Sequence, residues 1–437
     1  MTQERNPWVS RFEHLLDPEE IRRRAMYIPD ELPDISLLSH DAAKIKLQEI
    51  LEQVFVPTQQ NVAILHYWVE VIVTHCKTYY PSPQALCRHI YSKPPLPKFT
   101  RLMGLTGLAG VGKTELVQAF KRILPQEQRH NLRVDEYHTG MSLLNPWISI
   151  VDENSSAKLI LDSFWGEEHS LRNSIKLLRK HGYINGVPMV IVDELQFLTL
   201  SSTANAKLME LLLSVGQLGL PCLYSANYSL IHRLAKRPQE DRDRMLSNLT
   251  CLHPDPPNSE DWIKTLDTFL RLFPEVFRFD ANDDAAAIHW YCAGIKRGLV
   301  ELLTIAYGIS RNFSGKVTIK EIELAYASPR FSAKRQDVEI IHRQIIENRK
   351  VKNDLWCPID LPNPFGEIQK QSLIQRQLEN EHLKKLELTF SREEQNKIKA
   401  ITKANQPQNK VVLIKKTPLS AEKLLEDANW FQDSFEK

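Results

Sequence analysis

Glycine is scarce in this chain of 437 residues: it has 15, where an ordinary usage of ~7% gives about 30. A chain so poor in the residue that loosens backbones is expected to be helix-rich. Neither sign of charge dominates, since 56 Lys and Arg face 54 Asp and Glu for a formal charge of +2. Near-neutrality excludes a surface that coats nucleic acid everywhere, so any basic contact must be local. No apolar run approaches the ~20 residues of a membrane span; the best, Val62 to Val73, is broken by His66 and Glu70. The start, MTQERNPWVSRFEHLL, lacks the basic, apolar and small-residue regions of a signal peptide. Six scattered cysteines without a CxxC pair read as reduced thiols, and the expected compartment is the cytoplasm with no membrane association. His75-Cys76 with Cys87 and His89 have the residue types of a zinc site, but the ten-residue gap in a helical, apolar segment argues against one.

What is present suffices for a sizeable core: 42% hydrophobic residues, with 8 Trp, 12 Tyr and 16 Phe. The length predicts two to three units at roughly 150 residues each. Prolines mark the joints. Residues 1–94 read as an amino-terminal helical extension, with helical stretches at Asp41 to Val54 and 58 to 80 separated by Phe55-Val56-Pro57-Thr58. From 95 to 258, short apolar runs alternate with amphipathic helices, as in a parallel α/β sheet. The expected strands are RLMGLTG, NLRVDEYH, VPMVIVDE, LPCLYSAN and NLTCLHPD, a five-stranded sheet. Residues 259–330 lose the strand signal and predict a helical lid. Residues 331–437, charged and containing CPIDLPNPFGE, read as a linker and partner-binding tail that ends with the basic stretch Gln406 to Lys416 and with Trp430 and Phe431.

The segment from Gly107 through Gly110 and Gly112 to Lys113 and Thr114 is a full GxxxxGK[ST] pattern between a strand and a helix. Glycines let the backbone curl so that its N–H groups face phosphate, and the helix start adds a favourable dipole. Lys113 is expected on the β and γ phosphates of ATP, and Thr114 on Mg2+. Glu115, in the helix's first turn, is grouped with these cofactor-binding residues. About 80 residues on, Val190 to Glu194 delivers two carboxylates at the end of an apolar run. Asp193 is assigned to the metal and Glu194 to general-base catalysis. Asn227 ends another apolar run, a place from which its amide can orient water. An arginine cluster follows (Arg233, Arg237, Arg242, Arg244), any of which can serve as a finger reaching a neighbouring copy, with Arg242 and Arg244 preferred. In the lid, Gly294-Ile-Lys296-Arg297-Gly298 offers two cations for sensing nucleotide, and Arg297 is chosen.

These elements, in this order and spacing, resemble an AAA+ ATPase over roughly 95 to 330. The stretch Asn227 to Arg244, the Phe55-Val56-Pro57-Thr58 segment before the P-loop domain and the lid run AGIKRGLVELLTIAYGIS resemble the TnsC and TniB transposition regulators, nearer the larger TnsC type. The resemblance implies a Mg2+-dependent ATPase that forms rings or filaments on double-stranded DNA without sequence preference. It also implies a TniQ-class target selector and TnsA/TnsB-type transposase subunits as partners. DNA contacts are expected from Arg172, Lys176, Arg179 and Lys180, one face of a helix, with Lys121, Arg122, Arg129 and Arg133 as a second set. A replication-initiator or clamp-loader-like enzyme shares the ATPase elements, but the tail does not read as a winged helix. A nucleotide-gated adaptor is the third reading.

Overall fold

The computed structural model of the chain describes residues 6–30, 32–90, 92–134, 137–152, 156–164, 171–196 and 204–389. Seven strands are present among them: β1 (Leu102–Gly107), β2 (Gln128–Val134), β3 (Tyr137–Leu143), β4 (Trp147–Ile150), β5 (Val190–Asp193), β6 (Cys222–Asn227) and β7 (Asn248–Leu252). Five form one sheet in the order β4-β5-β6-β1-β7, with every neighbouring pair parallel. The helices Lys113–Ile123, Leu171–Ile184, Ala204–Gln217 and Tyr228–Leu234 lie between strands in the chain, and the buried runs of β1, β5 and β6 are apolar as a covered parallel sheet requires.

The expected five-stranded parallel sheet is therefore present, with one correction. NLRVDEYH does not enter it; β2 and β3 pair antiparallel with each other. A run as polar as QRHNLRV is unsuited to a strand covered on both faces. The edge position is taken instead by the four residues of β4, whose Trp147 pairs with Val190.

Two hydrophobic cores result. The first surrounds the sheet and includes Leu105, Phe120, Ile191 and Tyr224. The second fills the lid, where Trp262, Leu266, Phe269, Leu299, Leu303 and Ile322 come from the helices Glu260–Leu272, Lys296–Ser310 and Ile319–Ala327. Each such fully buried side chain contributes roughly 1.5–3 kcal/mol.

The amino-terminal region is divided between these cores. The helix Gln59–Tyr79 starts at a capping box in which Thr58 and Asn61 satisfy each other's backbone N–H groups. It packs on the sheet core, with Trp68 edge-on to Phe120 at 5.3 Å. Arg11 ties the earlier segment to the same body by donating to the Leu143 and Leu144 carbonyls at 2.6 Å each. By contrast, Ala43, Leu47, Ile50 and Leu51 of the helix His40–Gln53 belong to the lid core.

The segment from 331 onward also differs from expectation. The helix Ser332–Glu347 places Val338 and Ile341 in the sheet core, and Leu355, Ile359 and Leu361 pack against it. Residues up to Gln377 thus belong to the main compact unit, and a second unit comprises 378–437. Gln406 to Lys416, Trp430 and Phe431 lie outside the described residues.

Candidate nucleotide site

The carboxyl ends of the parallel strands are the expected place for a ligand in a sheet of this kind. There β1 ends in Gly107, which pairs with Asn227 on β6 and with Leu252 on β7. The chain then curls through Gly110 and Gly112, whose φ values of 82° and 109° are in the region glycine tolerates. Gly112 caps the helix Lys113–Ile123, so the unpaired N–H groups of its first turn open into the loop.

Lys113 is buried, and its ammonium donates to the carbonyls of Gly107 at 3.1 Å and Leu108 at 3.0 Å and to Asn227 Oδ1 at 2.6 Å. Burial lowers its pKa to about 8, opposed by the charges of Glu194 and then Asp193. The lysine is held by the loop it serves and by the strand-end amide.

Asp193 is fully buried at the end of β5. Its Oδ1 accepts from the Ser225 hydroxyl and from the Glu194 backbone N–H at 2.9 Å. Among the described residues its Oδ2 has no hydrogen-bond partner of ordinary geometry, although the Thr114 hydroxyl stands near enough to the carboxylate to favour its charged form. A buried carboxylate oxygen without a donor of ordinary geometry is a costly arrangement that a cation relieves. Burial pushes this carboxyl up, and the Ser225 hydroxyl pulls it back.

Glu194 follows at φ 61°, a left-handed backbone unusual for a side chain of this size. The Glu194 N–H is held by Asp193 and, at 3.3 Å, by Ser225 Oγ. Its carboxylate accepts from the Thr114 hydroxyl at 2.6 Å and from the Gln196 amide. The hydroxyl expected on Mg2+ and the carboxylate expected to act as base are therefore joined to each other. Thr114 Oγ and Asp193 Oδ2 form a hard oxygen set that fits Mg2+. Among the described residues no group of three His, Cys, Asp or Glu side chains is placed to hold a metal without such help from a ligand. His75 and Cys76 are buried in the core, where burial pushes the thiol up to about 12.

A cavity of about 610 Å3 adjoins these groups, and its walls bring together Lys113, Thr114, Glu194 and Asn227 with Arg297. Glu115 lines the same space, its carboxyl raised by burial. Arg297 is reached because its backbone N–H donates to the Gly110 carbonyl at 3.1 Å, which joins the lid helix to the P-loop. A Cβ on Gly110 would meet Arg297 Cβ at 2.8 Å, so the approach itself requires glycine there.

The remaining expected residues lie elsewhere. Arg242 and Arg244 are on the helix Gln239–Met245, which leads into the amino end of β7. That is the opposite end of the sheet from Gly107, so neither reaches the P-loop of its own chain. Arg244 pairs with Glu240 at 2.5 Å and lies over the Phe99 ring, Arg237 pairs with Asp241 at 3.3 Å, and Arg242 is exposed. Arg179 is withdrawn from the expected DNA face: it donates to the carbonyls of Leu96, Pro97 and Gln217 and ties its helix to the chain entering β1. Lys176 and Lys180 are exposed on that helix, while the Arg172 and Arg133 side chains lie outside the described residues. Arg122 is likewise occupied, donating to the Ala25 carbonyl at 3.0 Å.

Sequence reasoning missed Ser225 and Gln196, which hold Asp193 and Glu194. The signal for Ser225 was a hydroxyl inside the apolar run Leu223 to Ala226. It also missed Leu51, Glu52 and Val54, which bring the amino-terminal region into the cavity wall together with Phe269 and Val300 of the lid.

Comparison with known proteins agrees with this geometry. A family profile described as an AAA domain matches residues 100–234. No curated protein matches the chain. Among solved structures, it is similar to Drosophila ORC bound to DNA, at 15% identity over 76% of this chain and 80% of that one, with a TM-score of 0.40. It is also similar to the Aeropyrum pernix ORC1 protein in complex with DNA (14%, 82% and 80%, TM-score 0.35). A third is a Walker-type ATPase of Pyrococcus abyssi (15%, 62% and 84%, TM-score 0.36). With the P-loop, the strand-borne Asp193 and Glu194 and the five parallel strands in one body, residues 100–234 form an AAA domain within an AAA+ P-loop fold.

Proposed function

We propose that this chain is an ATP-hydrolysing regulator of DNA transposition of the TnsC/TniB kind, which assembles on target DNA as ATP binds and leaves it as ATP is hydrolysed. The observation that carries the reading is a division of the catalytic groups. Lys113, Thr114, Asp193, Glu194 and Asn227 meet at one end of the sheet, and Arg242 and Arg244 stand at the other. A site whose described lining holds Lys113 and Arg297 but neither Arg242 nor Arg244, with those two at the opposite end of the sheet, is one that a second copy of the same chain completes. The finer assignment to transposition rests on the residues from Asn227 to Arg244 and the lid start that resemble those regulators.

Each residue has a step to perform. Lys113 exchanges the loop carbonyls for phosphate oxygens. Thr114 and Asp193 would hold Mg2+, which neutralises phosphate charge when bound. Once Thr114 turns to that task, Glu194 is released to take a proton from water that Asn227 orients. Arg242 or Arg244 of a neighbouring copy stabilises the charge on the transferred group. Arg297 reports the state of the site through its bond to the P-loop, and lid rotation alters the contact between copies. Lys176 and Lys180 supply non-specific phosphate contacts, few per subunit but multiplied by the assembly. The tail beyond about 378 engages TnsA/TnsB-type transposase subunits, and a TniQ-class selector recruits the assembly to its target.

Electron microscopy of the full chain with duplex DNA tests this reading. Rings or filaments on DNA with a slowly hydrolysed ATP analogue, and none with ADP, are expected. Monomers in both states would overturn it.

A further inference from the structure

The Phe55-Val56-Pro57-Thr58 segment has no role in the chemistry above, yet it lies where three parts of the chain meet. Phe55 is 1% exposed and its backbone pairs with Tyr27. Two cations lie over its ring: the Lys296 ammonium at 4.7 Å from the centroid and the Arg122 guanidinium at 5.3 Å. Such contacts strengthen as water is excluded. A small cavity beside them is lined by Phe55, Thr58, Asn61, Gly112, Asp255 and Lys296, among others. It joins the amino-terminal linker, the P-loop, the chain leaving β7 and the start of the lid helix.

Lys296 is the first residue of that lid helix and is half-buried. Its anionic neighbours are Asp255 and Glu115, and Arg122 is the cation facing it. Burial lowers the Lys296 pKa, and Asp255 opposes that shift most. Arg297, one residue on, is exposed toward the nucleotide cavity and bonded through its N–H to Gly110. On the other side of Phe55, Leu51, Glu52 and Val54 line the same cavity.

The geometry assigns Lys296 as a positioning residue: by gripping Phe55, it locks the lid to the amino-terminal linker and so sets where Arg297 and the side chains of Leu51, Glu52 and Val54 stand in the wall of the nucleotide cavity. Lys296 also lines the nucleotide cavity beside Arg297, so the test must separate a grip on Phe55 from contact with the ligand. The assignment separates the two lid cations, one acting on the ligand and its neighbour on the protein. It rests on the nucleotide-site reading above.

The test compares full-length wild type, K296M, K296R, F55L and the K296M/F55L double variant by steady-state ATP hydrolysis and by affinity for a fluorescent ATP analogue. K296M and F55L are each expected to raise KM and Kd about tenfold with kcat within about twofold, the scale of one desolvated cation–ring contact. The double variant should be no worse than the weaker single, and K296R should restore binding. A fall in kcat at unchanged KM would overturn the assignment by making Lys296 a catalytic residue. Additive effects in the double variant, or no rescue by arginine, would also overturn it. Absence of hydrolysis in the wild type overturns the proposed function instead, and the ratio of analogue affinities among the variants still decides the latch.

Discussion

The two ends of β1 are opposites in chemistry. At the carboxyl end, buried Lys113, Asp193 and their partners form a closed network of short hydrogen bonds. At the amino end, arginines lie on the surface with exposed or helix-local partners. The first arrangement is preorganised for a ligand, with Lys113 and Arg297 as cations in its described lining. The second carries Arg242 and Arg244 away from that site. Under the proposed function, the two ends work together at a junction between copies, where one end meets the other.

Variants that break one end and spare the other sharpen the comparison. The largest effect is expected from removing Arg242 and Arg244 together: hydrolysis should fall by about 10³ while nucleotide affinity stays unchanged, as rate and binding assays would show. An equal loss of affinity would place these arginines on the ground state. Glu194→Gln should lower hydrolysis by about 10² to 10³ and leave the chain on DNA after ATP is supplied, followed by dissociation from labelled duplex. Rapid release would remove Glu194 from the role of base.

A third effect concerns pH. Burial lowers the Lys113 pKa to about 8, below its unfolded value. Binding phosphate requires the protonated form, so each pH unit above about 8 should weaken ATP binding up to tenfold, with proton uptake visible by calorimetry in two buffers. For folding the sign is fixed too: the unfolded chain binds the extra proton, so the cost of burying Lys113 is full below pH 8 and declines as pH rises toward the unfolded value. The smallest effect is expected at the surface. Lys176→Ala with Lys180→Ala should weaken DNA binding several-fold and reduce the salt slope by about 2, without changing thermal stability. Arg179→Ala should do the reverse, lowering the melting temperature through its lost carbonyl contacts.

The residues whose placement was legible from sequence were those positioned by local chain geometry. A glycine-rich loop between strand and helix, and acids or amides at the ends of apolar runs, place themselves once the strands are parallel. The five-stranded sheet followed from the same alternation. What was illegible depends on distant partners. Charge spacing showed that Arg179 shares a helix face with Lys176, but not that the carbonyls of Leu96, Pro97 and Gln217 lie opposite it. The four residues of β4 were too short a signal beside the longer, more polar run that became β2. Asp41 to Val54 read as helical and the helix His40–Gln53 is found there, yet its membership of the lid core is a tertiary fact. The same holds for Val338 and Ile341, apolar positions in a charged stretch that seat it on the sheet body.

The central claim is that one end of the sheet serves the other across a junction between copies. Mixing two inactive variants tests it most directly. Lys113→Ala keeps its arginines and cannot engage ATP; the Arg242→Ala/Arg244→Ala variant binds ATP and lacks the cations. On duplex DNA, each alone should be inactive and the mixture should recover hydrolysis, because mixed junctions pair an intact P-loop with intact arginines. A mixture as inactive as its components would contradict the account.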